Sequence, residues 1–254
     1  MAESAKRSGL SLQRKRSVLV TGASDRIGAK IAAHFAAKSC PVWVHFFQDE
    51  TGADRVVRAI QSAGGEARAL RADLRDELQV RELFETIAAE SKLVGLVHCT
   101  AIFEPSKLDE LTTERWDELF AVNLRSAWLC GREAGRQMRQ HGLPSWMIFF
   151  SDSGVYQDWI AYGGYVLSKQ GISGLTRLLA KTFAPQIRVN GVAPGLILNE
   201  DGGDAARWET LAERTLLKRT GSVDDLVGAV DYLANAPYVT GVELPVDGGY
   251  RFRE

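Results

Sequence analysis

The chain has 254 residues, 45% hydrophobic and 25% charged, with a formal net charge of −1. That is an ordinary globular composition with enough apolar residues for one sizeable core, and a charge near zero gives no global field to recruit nucleic acid or an anionic membrane. Three widely spaced cysteines, Cys40, Cys99 and Cys130, with no CxxC, argue against a disulfide framework and a thiolate zinc site, and point to a reducing, cytoplasmic location.

Residues 1–16 are rich in Ser and Arg with one acid, Glu3, and read as a flexible basic arm ahead of a domain over 17–254. No apolar run approaches membrane-spanning length. From Ser17 on, short apolar strands alternate with longer helical patterns. The spacing predicts strands over 18–20, 42–47, 67–70, 94–99, 146–150, 187–192 and 241–246. Helices are expected over 27–38, 51–64, 77–91 and 113–140, then one carrying Tyr165 and Lys169, and two short ones after the sixth strand. This alternation implies a parallel sheet covered on both faces, doubly wound through right-handed crossovers. No Pro/Ser-rich linker and no repeat interrupts it, so one α/β domain of about seven strands is expected, with ligands at the strands' carboxyl ends.

The central strand runs to Phe150, with Asp152 just beyond its end and Tyr165 and Lys169 on the next helix. Four residues apart on a helix, the two side chains share a face. An ammonium held close would lower the phenol's pKa and bring proton transfer into range, although the same spacing also serves a solvated pair. After the first strand comes Thr21-Gly22-Ala23-Ser24-Asp25-Arg26-Ile27-Gly28. Gly22 permits a tight turn and Gly28 close packing of helix on strand, so the helix N-terminus can meet a pyrophosphate. Such turns also occur for backbone reasons alone.

A nicotinamide dinucleotide has its ribose read at the end of the second strand. Here the chain has His45-Phe46-Phe47-Gln48-Asp49, with no carboxylate at the strand end to repel a 2′-phosphate, which points to NADPH over NADH. Asp49 could be a turn residue or a ribose ligand. Asp73 could accept from an adenine amino group or cap the next helix. Asn123, inside a helix where its propensity is poor, could relay protons or make a polar packing contact. Pro194-Gly195 could meet a carboxamide or simply turn the chain. His98 and Cys99 read as core residues, since no metal-spaced partners accompany them.

With the loop, Asp73, Asn123, Tyr165-x-x-x-Lys169, Pro194-Gly195 and the terminal Val246-Asp247-Gly248-Gly249, the chain resembles the short-chain dehydrogenase/reductase family over about residues 17–250. The resemblance implies a Rossmann-type fold and a homotetramer or homodimer built partly on the Tyr–Lys helix. It also implies that NADPH is bound by Gly22, Ser24, Arg26, Ile27 and Gly28 of the loop and by Phe47 and Gln48 after the second strand. Asp73 and Leu74, Thr100 and Ala101, Tyr165 and Lys169, and Pro194, Gly195 and Leu196 would complete that site.

Three departures narrow the resemblance. Arg26 stands where the family has the loop's middle glycine, Asp152 where it has a catalytic serine, and His98-Cys99-Thr100-Ala101 where it has Asn-Asn-Ala-Gly. The first two, with Phe103 two residues beyond the tetrapeptide, are similar to pteridine and dihydromonapterin reductases. By that resemblance Tyr165, Lys169, Asn123 and Asp152 would be catalytic, and Arg26, Phe103, Asp152, Tyr165 and Trp208 would hold a pteridine. Residues 196–217 would cover it, with Trp208 and Leu211 as walls. Reduction of a carbonyl such as a 3-oxoacyl thioester, a sugar or a quinone is the alternative. A catalytically silent nucleotide-binding protein is a further one.

Overall fold

The computed structural model describes residues 15–199 and 205–252. Seven strands form one all-parallel sheet in the order β3-β2-β1-β4-β5-β6-β7. They are β1 Arg16–Thr21, β2 Val42–Phe46, β3 Ala67–Arg71, β4 Lys92–His98, β5 Ser145–Phe150, β6 Ile187–Pro194 and β7 Glu243–Val246. The helices are α1 Arg26–Ala37, α2 Glu50–Ser62, α3 Glu77–Glu90, α4 Thr113–Phe120, α5 Ser126–His141, α6 Gly163–Phe183, α7 Ala205–Glu213 and α8 Val223–Asn235.

Side chains alternate across the pleat, so each strand feeds two cores. Leu19, Leu96, Met147 and Phe149 face one side, where α3, α5 and α6 pack through Phe84, Leu129 and Phe183. Val20, Val44, Val97 and Ile148 face the other, under Ile31 of α1, Val56 of α2 and Val230 of α8. Strand order reverses between β1 and β4, and the crevice above that switch point is where a doubly wound sheet receives ligands.

Element ends shift by a residue or two from the sequence reading, and two differences bear on the site's surroundings. Arg16 already belongs to β1 and the Lys15 ammonium pairs with Glu66, so the ordered sheet begins inside the expected arm; residues 1–14 lie outside the described residues. The expected helix over 113–140 is continuous but not uniform. Residues Ala121–Arg125 between α4 and α5 form a π-helical turn centred on Asn123. No described helix is long and apolar enough to cross a membrane.

Candidate active site

Five of the sequence-predicted residues converge above β4 and β5. Phe150 ends β5 and Asp152 follows in extended backbone, its Oδ1 accepting the Gly154 N–H at 2.7 Å. Its other oxygen accepts the Tyr165 hydroxyl at 2.7 Å. Tyr165 lies in the first turn of α6, where its backbone N–H donates to Ser106 Oγ at 3.1 Å. One turn later Lys169 is 3% exposed, and its Nζ donates to the Phe150 carbonyl at 2.9 Å, 5.8 Å from the Tyr165 ring centroid.

Asn123 reaches the same helix from the π-turn. Its Nδ2 donates to Ser168 Oγ at 3.0 Å and to the Ile102 carbonyl at 3.1 Å, while its Oδ1 accepts the Ile102 N–H at 2.9 Å. A fully satisfied amide explains why a polar side chain tolerates burial inside a helix. The fifth residue is Phe103, just beyond Ile102. It stacks face to face on Tyr162, with centroids 4.7 Å apart, and meets Tyr165 edge-on at 4.8 Å.

The electrostatics correct one expectation. Burial first, then Asp152, pushes the Tyr165 phenol well above its ordinary value, so Lys169 does not bring it down in this arrangement. Burial also raises the Asp152 carboxyl, against the opposing pull of Gly154, Tyr165 and Lys169. Lys169 itself is lowered by burial to about 8. Two acids in direct hydrogen bond titrate as a coupled pair, and desolvation shifts both toward their protonated forms.

The glycine loop closes over β1. Gly22 has φ +60°, and a Cβ there would lie 3.2 Å from Thr100 Cα; a Cβ on Gly28 would lie 2.3 Å from the Gly22 carbonyl oxygen. Arg26 adopts φ +52°, keeping the left-handed geometry of the glycine it replaces at a cost of about 1–2 kcal/mol. Its side chain is exposed and is not a wall of the cavity described below. Ser24 and Ile27 are half-buried beside it. Thr100 Oγ1 is buried facing this loop without a partner among the described residues, and Ala101 is exposed next to it.

Two buried imidazoles hold the loop; His98 lies in the core as the sequence indicates, while its bridging partners and the role of His45 do not follow from it. Gly22 N–H donates to His45 Nδ1 at 3.2 Å, and His45 Nε2 donates to the Ala72 carbonyl at 3.0 Å. His98 bridges Thr21 Oγ1 at 3.1 Å and Ser126 Oγ at 3.2 Å. A lone histidine in an apolar strand carries no signal of which neighbours it will bridge. Among the described residues no group of three His, Cys, Asp or Glu could hold a metal.

Several open alternatives are now decided. Asp76, not Asp73, caps α3, accepting Leu78 N–H at 2.8 Å. Asp73 is instead gripped by Arg75, Nε to Oδ1 at 2.9 Å and Nη2 to Oδ2 at 2.7 Å, and Arg75 also lies over the Phe47 ring at 5.4 Å. Asp49 caps α2, accepting Gly52 N–H at 2.9 Å, and leaves Gln48 exposed beside it. Leu74 is 3% exposed with its side chain in the core, so a side-chain contact to a ligand is not available there. Pro194 ends β6. Gly195 packs so closely on Asp247 that a Cβ would lie 2.6 Å from its Cα, which accounts for the glycine by β7 packing alone.

Beside Phe103 opens a cavity of about 510 Å³. Trp208 and Leu211 of α7 line it as expected, and Leu196 lines it as well. Of the expected cover, residues 200–204 lie outside the described residues. Trp159, Tyr162 and Tyr250 are further aromatic walls, brought in from a loop and from the chain's end, where no periodicity marked them.

The similarities to known proteins agree with this geometry. The chain is 33% identical over 242 residues to 3beta-hydroxysteroid dehydrogenase 1 of Eggerthella lenta, covering 92% of this chain and 93% of that one. It is 26% identical to dihydromonapterin reductase of Enterobacter sp., covering 92% and 96%. The solved structure of FolM alternative dihydrofolate reductase 1 from Brucella suis in complex with NADP superposes with a TM-score of 0.87 at 27% identity, covering 94% and 96%. A family model described as enoyl-(acyl carrier protein) reductase matches residues 22–251, and with the Tyr165–Lys169 helix, Asn123 and the Gly22–Gly28 loop in place the chain belongs to the short-chain dehydrogenase/reductase family.

Proposed function

We propose that this protein is an NADPH-dependent reductase that transfers hydride to a ring C=N of a pteridine, a dihydropterin or a dihydrofolate-like molecule. The observation that carries the proposal is the Asp152–Tyr165 pair, a half-buried carboxyl hydrogen-bonded at 2.7 Å to a buried phenol and raised by desolvation. A serine at this position would only donate a hydrogen bond. A carboxyl that keeps its proton can deliver it to the nitrogen left anionic after hydride addition. Facing a developing alkoxide, the same carboxyl would bring repulsion once ionised.

The residues present fit the nucleotide. Gly22 and Gly28 leave a cradle that a Cβ would fill, and the buried Thr100 hydroxyl beside it has no protein partner among the described residues. The bound cofactor would supply the hydride. Lys169 would orient its ribose, Asn123 joins α6 through Ser168, and Phe103, 45% exposed, would stack on a flat ring whose other side meets the nicotinamide. The aromatic cavity suits a planar heterocycle, and the dihydromonapterin and NADP-bound relatives support the same reading. Exposed Trp116 and Trp128 beside α6 support a homodimer or homotetramer using that face, to be checked by light scattering. The proposed location is the cytoplasm.

The test is nicotinamide oxidation with NADPH, and NADH as control, on dihydrobiopterin, dihydromonapterin, dihydrofolate and a 3-oxoacyl thioester. Turnover on a pteridine is expected. Asp152→Ser should lower pteridine reduction by roughly a hundredfold or more, the range of a lost general acid. Turnover only on the thioester would discard the pteridine reading. The 33% identity to a hydroxysteroid dehydrogenase favours a second reading, carbonyl or alcohol chemistry on the same Tyr–Lys pair, and a hydroxysteroid belongs in the same panel.

A further inference from the structure

β2 ends without the acid that would accept a ribose 2′-hydroxyl, and Phe47-Gln48-Asp49 supplies no cation in its place. A cation arrives from the neighbouring strand. β2 and β3 pair with Phe46 opposite Arg71, the last residue of β3. Alternation puts Ala67, Ala69 and Arg71 on one face of the sheet. That is the face where Ala67 and Ala69 join Phe46, Val56 and Ile60 in one core, and where α1 leaves the glycine loop. Arg71 is exposed, and its Nε donates to the Phe47 carbonyl at 3.1 Å. This bond pins the guanidinium across the mouth of β2. Arg71 makes no ion pair among the described residues, so its two terminal nitrogens are open to a ligand.

Three neighbouring arginines have carboxylate partners, while Arg26 of the glycine loop is exposed and makes no ion pair among the described residues. Arg75 grips Asp73 and lies 3.7 Å from Glu118, Arg55 lies 3.7 Å from Asp25, and Arg58 lies 3.8 Å from Asp54. We propose that Arg71, from the strand next to the usual position, reads the 2′-phosphate of the cofactor and sets the preference for NADPH; this rests on the NADPH reading above. A guanidinium offers a phosphate two parallel donors, and one already held by a carbonyl loses less side-chain freedom on binding.

Calorimetric titration of the full chain with adenosine 2′,5′-bisphosphate and with adenosine 5′-monophosphate tests it. The wild type should bind the bisphosphate more tightly. Arg71→Ala should weaken the bisphosphate by roughly ten- to a hundredfold, as expected for lost charge-assisted bonds, and leave the monophosphate unchanged. Arg71→Lys should recover part of the loss, since it keeps the charge and loses the fork. An equal loss for both nucleotides, no loss for either, or a selective loss from Arg55→Ala instead would overturn the assignment. A wild type indifferent to the 2′-phosphate would sink the NADPH reading itself, and Arg71 with it.

Discussion

Tyr165 and Asp152 share one hydrogen bond but respond to it in opposite senses. Desolvation raises both groups, and the bond then raises the Tyr165 phenol further while pulling the Asp152 carboxyl back down. Lys169 is drawn away to the Phe150 carbonyl, so in this arrangement it fixes the end of β5 and does not activate the phenol. Replacing Tyr165 by Phe removes the hydroxyl while keeping the ring packed against Phe103. Turnover should fall by roughly a hundred- to ten-thousandfold, with NADPH affinity measured by fluorescence titration unchanged. Undiminished turnover would leave Asp152 as the sole proton donor.

At the scale of elements, the π-turn at residues 121–125 is what lets α4 and α5 run as one rod and still send an amide into the site. π-bulges are uncommon and cluster at functional positions. Asn123 ties three segments: the Ile102 loop through two bonds, α6 through Ser168, and its own helix. Asn123→Leu leaves the Ile102 N–H and carbonyl without their partners. The expected cost is about 2–6 kcal/mol in denaturant unfolding, read from two backbone groups at about 1–3 kcal/mol each. Turnover should fall with it, because the loop that carries Phe103 loses its anchor. A stability loss below about 1 kcal/mol would mean that water replaces the amide.

For the whole molecule, the buried imidazoles predict how stability follows pH. Burial lowers His45 from 6.5 to about 4 and His98 to about 3. The unfolded chain takes up these protons below about 6.5, whereas the folded chain resists them until about 4 or lower. Stability from these groups is therefore complete above about 6.5 and drains as pH falls through the folded values, by about 3 kcal/mol for His45. Chemical unfolding across that window should show the decline, and His45→Gln should make it shallower. An unchanged slope in the variant would show that His45 is not the group being titrated.

The glycine loop, Asn123, Asp152, Tyr165 and Lys169 were legible in the sequence because their chemistry is set by short spacings: a turn that only small residues allow, a helical period of four, a polar residue where propensity opposes it. The doubly wound sheet followed from alternation of strand and helix for the same local reason. What only the tertiary structure decided depends on strand register and long-range contact. Asp73, open between an adenine acceptor and a helix cap, is held by Arg75 while Asp76 takes the cap, His45 and His98 became struts for the loop, and Trp159, Tyr162 and Tyr250 became walls of one cavity. Arg71 reaches the end of β2 because two parallel strands pair in one register, and shifting that register by a single residue would send the side chain to the opposite face.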